Sequence, residues 1–138
     1  VEDFIRIVKR YSRQTSMVLL QEFIKTEFDW RVGVLNSKPL YACKYFFPKG
    51  SWKMLGDKYG KQAECDVEAV PISRVPRYVL KEALKAASAV GKGLYGVDVK
   101  QLNGSVLVIE VNDNPTLESN QEDRCSPMLY ERIIEHLL

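Results

Sequence analysis

Residues 96–115 read GVDVKQLNGSVLVIEVNDNP and set three polar side chains, Asp98, Glu110 and Asn112, into runs that are otherwise apolar. Two carboxylates and an amide carbonyl make a hard, all-oxygen donor set. Such a set suits Mg²⁺ or Mn²⁺, which bind through one or two carboxylates together with substrate phosphates. A carboxylate in an apolar strand is costly unless something pairs with it. Two of them side by side repel unless a cation lies between. The competing reading is a solvated polar face paired with lysines, Lys100 being the nearest.

Whether the acids meet depends on hairpin register. Strand side chains alternate between faces, so loop length decides what lies beside what. A two-residue Asn103-Gly104 loop, the commonest choice, puts Asp98 with Leu107, Ile109 and Val111, and Glu110 with Val97 and Val99, so both faces come out mixed. A three-residue loop collects Val97, Val99, Leu107, Ile109 and Val111 on one face and Asp98, Lys100, Val108, Glu110 and Asn112 on the other. Burial favours the odd loop, which also brings Asp98 and Glu110 to neighbouring positions.

The elements around this hairpin follow from periodicity. Residues 2–12 carry Phe4, Ile5, Val8 and Tyr11 at helical spacing. MVLLQEFI (17–24), DWRVGVL (29–35) and PLYACKYFF (39–47) read as strands, with Asn36-Ser37-Lys38 as a turn. Residues 48–66 have no clear period and read as a long loop. A helix follows Pro76, with Val79, Leu80, Ala83, Leu84, Ala87 and Val90 as its apolar stripe and Gly91 and Gly93 closing it. A last helix runs from a cap at Ser126 to Leu138, burying Leu129, Ile133 and Leu137. The order α-β-β-β-loop-α-β-β-α predicts an α+β fold, a mostly antiparallel sheet with helices packed on one face.

Composition narrows the function classes. The 138 residues suit one domain with a sizeable core, and a net charge of +2 is too small to argue for nucleic acid or an anionic membrane. No apolar run approaches a membrane span. Cys43, Cys65 and Cys125 are odd in number and lack CxxC spacing, which argues against a disulfide framework and for a reducing, cytoplasmic setting.

GVDV followed by IEVNDNP resembles the metal-binding end of the ATP-grasp superfamily, in which an Asp on one strand and an E-x-N on the next hold two Mg²⁺ ions on the phosphates of ATP. Upstream, LLQEFI resembles that superfamily's adenine-edge segment, and DWR its following D-x-R strand. The subgroup resembled is the RimK-like carboxylate–amine ligases, which include ribosomal-protein glutamate ligases and bacterial glutathione synthetase.

The resemblance implies metal ligation by Asp98, Glu110 and Asn112 and adenine binding by Gln21, Glu22, Phe23 and Ile24. It implies ribose contact by Glu27 or Asp29, and phosphate or acyl-phosphate contact by Arg31 and Lys44. Each has a plainer rival: Arg31 as partner of a surface acid, Lys44 as a snorkelling strand lysine, Asp29 as a turn residue. His136 reads as solvated or dipole-stabilising at a helix end. Residues 1–138 are expected to form a single domain, the carboxy-terminal subdomain of an ATP-grasp fold whose amino-terminal half is absent from this sequence.

The implied activity is ATP- and Mg-dependent joining of a small-molecule or peptide carboxylate to an amine, as in adding glutamate or another amino acid, through an acyl phosphate. This piece alone is expected to be inactive, with the rest of the parent polypeptide as its partner and room for a homo-oligomer. The alternative is a non-catalytic nucleotide-binding or interaction module that retains the scaffold. The arginine-asparagine segment that relatives place in the long loop is replaced here by GSWKMLGDKYG, where Trp52, Lys53 and Lys58 are candidate acceptor-side contacts.

Overall fold

The computed structural model describes residues 2–47, 56–58, 61–63 and 66–138. A helix α1 (Glu2–Tyr11) opens the chain, followed by the strands β1 (Phe28–Leu35) and β2 (Lys38–Phe46). Two short strands, β3 (Gly56–Lys58) and β4 (Lys61–Ala63), pair with each other, and β5 (Asp66–Ala69) returns to the main sheet. Helix α2 (Arg77–Val90), strands β6 (Leu94–Leu102) and β7 (Ser105–Asn112) and helix α3 (Leu129–Leu137) complete the order. The main sheet is five-stranded, β5-β2-β1-β6-β7, with every neighbouring pair antiparallel. This is the expected α+β, antiparallel architecture, except that the helices do not share one face: α2 packs on one side of the sheet and the start of α3 on the other.

One face of the sheet is dry. Val32, Val34, Val97 and Val99 are fully buried against Val79, Ala83 and Ala87 of α2, with Trp30 and Tyr95 at the margins. Each such valine stabilises the fold by roughly 1.5–3 kcal/mol relative to exposure. The small residues every fourth position along α2 let the helix lie close to the sheet. Leu80 and Leu84 flank the contact, and Val90, counted in the stripe from sequence, is exposed at the helix end. On the opposite face a second apolar cluster joins Leu40, Tyr41, Cys43 and Tyr45 to Leu129 at the start of α3.

Several expectations need correction. Residues 17–24 form no strand: the segment pairs with no described strand, and Met17, Leu19, Leu20 and Phe23 are exposed. An apolar run reads as a strand from composition, but a strand also needs a neighbour to complete its hydrogen bonds. The turn after β1 is the two residues Asn36 and Ser37, at φ 48° and 61°, the left-handed pair that a two-residue hairpin loop favours. Ser126 does not cap α3. Its hydroxyl donates to the Leu40 carbonyl at 2.6 Å, and Met128 precedes the helix instead. Leu137 is exposed rather than buried. Within the expected loop 48–66, Trp52, Lys53, Cys65 and the side chain of Lys58 lie outside the described residues. No helix among the described residues is long and apolar enough to cross a membrane.

Candidate functional site

The turn between β6 and β7 is the two-residue Asn103-Gly104, with Leu102 opposite Ser105 and Gly104 at φ 82°. The expected odd loop is therefore wrong, yet Asp98 stands directly opposite Glu110. The ladder runs Leu102–Ser105, Gln101–Val106, Lys100–Leu107 and Val99–Val108, then shifts to Asp98–Glu110. Ile109 is the extra residue of a β-bulge, which changes register inside the strand rather than at the turn. Side-chain faces change accordingly. Leu107 pairs with Lys100 and is exposed, and Ile109 joins Asp98 and Glu110 in a cavity wall, while Val106 and Val111 are the β7 residues packed on the α2 core.

The second surprise is the partner of Asp98. Arg31 lies directly opposite it on β1 and binds it with two parallel hydrogen bonds, Nε to Oδ1 at 2.7 Å and Nη2 to Oδ2 at 2.8 Å. The Asp98 hydrogen bond raises the Arg31 pKa above its ordinary value, against the opposing pull of burial. The guanidinium also lies 4.7 Å over the Tyr45 ring, whose hydroxyl hydrogen-bonds the buried Glu122 carboxylate. Burial, and then that hydrogen bond, push the Tyr45 pKa up, so the phenol stays a neutral donor.

Glu122 in turn accepts the Glu118 backbone amide at 2.8 Å. One row across the sheet thus reads Cys43, Arg31, Asp98, Glu110. The row beside it is Tyr41, Gly33, Gly96, Asn112, in which the Tyr41 ring occupies the space a side chain at 33 would take.

The row on the other side pairs Lys100 with Asp29, Nζ to Oδ1 at 2.7 Å. Lys100, the candidate partner for the hairpin acids, therefore neutralises a different carboxylate. Once β1 and β6 are neighbours, both contacts follow one pattern. Asp29-Trp30-Arg31 on one strand and Asp98-Val99-Lys100 on another are complementary when run antiparallel, acid against base at both ends. Opposite charges across a pair favour one register.

A cavity of about 620 Å³ opens on this face. Gln21, Glu22, Phe23 and Ile24 line one wall. Asp98, Glu110 and Ile109 line another, with Asp29, Lys100 and Phe47 between them. The structure thus brings together the 21–24 segment, Asp29, Asp98 and Glu110, all singled out from sequence. Asn112 stands two residues beyond Glu110, its Oδ1 accepting the Asn114 amide at 2.9 Å.

Glu27 is exposed and does not line the cavity. Lys44 is not brought to the site. It alternates onto the α2 face, pairs with Glu68 at 3.3 Å and lies over the Phe28 and Trp30 rings. His136 is exposed in the last turn of α3.

Residues 5–136 match the family model of the RimK-like ATP-grasp domain. The chain belongs to that family. This RimK-like domain is 30% identical over 118 residues to a probable alpha-L-glutamate ligase of Shewanella loihica, covering 84% of this chain and 36% of the relative. A tetrahydromethanopterin:alpha-L-glutamate ligase of Methanocaldococcus jannaschii is 26% identical over 140 residues, covering 96% and 45%.

The D-alanine–D-alanine ligase of Bacillus anthracis superposes with a TM-score of 0.73 at 18% identity, over 99% of this chain and 47% of that one. Its ATP complex gives 0.70, over 98% and 46%. At that identity the likeness shows the fold alone. The RimK-like domain spans less than half the length of the relatives named here.

Proposed function

We propose that the chain is the carboxy-terminal catalytic part of an ATP- and Mg-dependent ligase that joins a carboxylate to an amine. The observation that carries this reading is the acid pair Asp98–Glu110 lining the same cavity as residues 21–24. The names of two relatives, both alpha-L-glutamate ligases, support glutamate as one of the two substrates.

The residues fit a divalent cation by the chemistry of their donors. The Glu110 side chain is exposed and, among the described residues, its carboxylate makes no side-chain hydrogen bond or ion pair, so it is available. The two Asp98 oxygens each accept one bond from Arg31, and Asn112 Oδ1 accepts one from a backbone amide, which leaves each oxygen a further lone pair. Asp98, Glu110 and Asn112 would hold Mg²⁺ or Mn²⁺, two ions by analogy with the superfamily. The metal would neutralise charge on the triphosphate.

In this reading the substrate carboxylate attacks the γ-phosphorus of ATP, giving an acyl phosphate and ADP. The amine then attacks the acyl carbon and phosphate leaves. The chain's own contribution is positioning and electrostatics. Arg31 holds the Asp98 carboxylate in one orientation, and Tyr45 and Glu122 brace Arg31 from behind. Segment 21–24 offers backbone groups to the base, and Ile109 and Phe47 exclude water. Lys44, on the α2 face, has no part in it. The test is ADP release by the natural full-length polypeptide given ATP, Mg²⁺, glutamate and candidate co-substrates. Asp98→Asn and Glu110→Gln should each abolish release, and unchanged turnover in both would overturn the assignment.

A further inference from the structure

Lys100 has no role in the mechanism above, yet it sits in the cavity wall. Its ammonium contacts both Asp29 oxygens, at 2.7 and 2.8 Å, and donates to Thr26 Oγ1 at 2.9 Å. The Thr26 hydroxyl donates in turn to Asp29 Oδ1 at 2.6 Å, so the three groups close a ring. The Phe47 ring lies 4.9 Å from the ammonium. The Lys100 and Asp29 side chains are only 9% and 6% exposed. A buried pair of this kind contributes little net stability, because desolvation offsets the attraction. Its use is better sought in what it connects.

Thr26 stands two residues after the 21–24 segment. Lys100 stands two residues after Asp98 and on the same face. The ring therefore ties one wall of the cavity to the other. We propose that Lys100 is a nucleotide-positioning residue: through Asp29 and Thr26 it sets the spacing between segment 21–24 and the acid row. The inference rests on the ATP reading and deepens it. A ligand that engages both ends gains from linkage only when the two subsites are held at a matching distance. A ligand that engages one end does not sense the spacing.

The experiment compares binding of three probes to the natural full-length polypeptide: ATP with Mg²⁺, adenosine, and tripolyphosphate with Mg²⁺. Thr26→Val cuts the tie to segment 21–24 and leaves the Lys100–Asp29 pair whole. Lys100→Met removes the ammonium, and Lys100→Arg keeps a cation that reaches Asp29. Thr26→Val and Lys100→Met should weaken ATP binding by about tenfold or more and leave the two half-ligands within about twofold, with Lys100→Arg recovering most of the loss.

A parallel fall of all three probes would mean a merely structural role and overturn the inference. A fall in tripolyphosphate binding alone would mean direct phosphate contact, and unchanged ATP binding would mean that the ring sets no spacing; either overturns it. If Lys100→Met does not fold, Thr26→Val decides. Wild-type protein that binds none of the probes would defeat the ATP reading, whereas wild-type binding with unaffected variants defeats this inference alone.

Discussion

The two hairpins of the main sheet use the same device with different results. Each closes on a two-residue turn, Asn36-Ser37 or Asn103-Gly104, and each carries one extra residue in its second strand, Leu40 or Ile109. In β2, which is flanked by β5 and β1, Leu40 is almost fully buried and packs with Tyr41 and Leu129. In β7, at the sheet edge, Ile109 lines the cavity, and beyond it the register places Glu110 opposite Asp98. A bulge inside a sheet is absorbed by packing. A bulge on an edge strand has room to re-aim the side chains that follow.

The largest effect should come from the row that the second bulge completes. Arg31→Met leaves the Asp98 carboxylate without its cation and should cost about 3–5 kcal/mol in urea unfolding. Arg31→Met with Asp98→Leu should recover most of that loss, and a double variant as unstable as the single would break the account. Next comes the contrast between the two bulges. Leu40→Ala should cost about 2–5 kcal/mol and Ile109→Ala less than about 1.5. Equal midpoint shifts would remove the distinction between interior and edge.

Deleting Ile109 sharpens the comparison further. The ladder then becomes regular with Asp98 still opposite Glu110, so binding of tripolyphosphate with Mg²⁺ should hold within about threefold. Adenosine binding should weaken because an apolar wall is lost, and calorimetry reads both.

The smallest effect is alkaline. Burial pushes the Cys43 thiol from 9.0 up to about 12. Because the folded value is raised, its contribution to stability is complete below about pH 9 and is lost as pH rises from there toward 12. Cys43→Ala should flatten the fall in denaturation midpoint across that window, and an unchanged slope would count against a buried thiol there.

Much of the site was legible because alternation is local. Glu110 and Asn112 fall two apart along β7, as Asp98 and Lys100 do along β6, and the small-residue stripe of α2 is visible at helical spacing. Burial alone pairs Asp98 with Glu110 but through the wrong loop length, because in an unbroken ladder the loop alone decides register, and this ladder is broken by a bulge. Nothing in the local pattern marks Ile109 as the bulged residue, since it is as apolar as its neighbours. Segment 17–24 misled for a related reason: it has strand composition but no described strand beside it.

By itself, then, the sequence determined the three helices, the two hairpins of the main sheet, the dry face built on Val97 and Val99, and the set of oxygen donors in the β6–β7 hairpin, but not the short strands β3, β4 and β5. These follow from side-chain period and turn chemistry, which each segment carries alone. Tertiary structure decided which charges meet. Arg31 reaches Asp98, Lys100 reaches Asp29 instead of the hairpin acids, and Lys44 turns to the α2 face. The first two contacts join residues more than 60 positions apart, and they depend on how β1 aligns with β6. Pairing energy between strands settles that alignment, and the spacing within either strand does not.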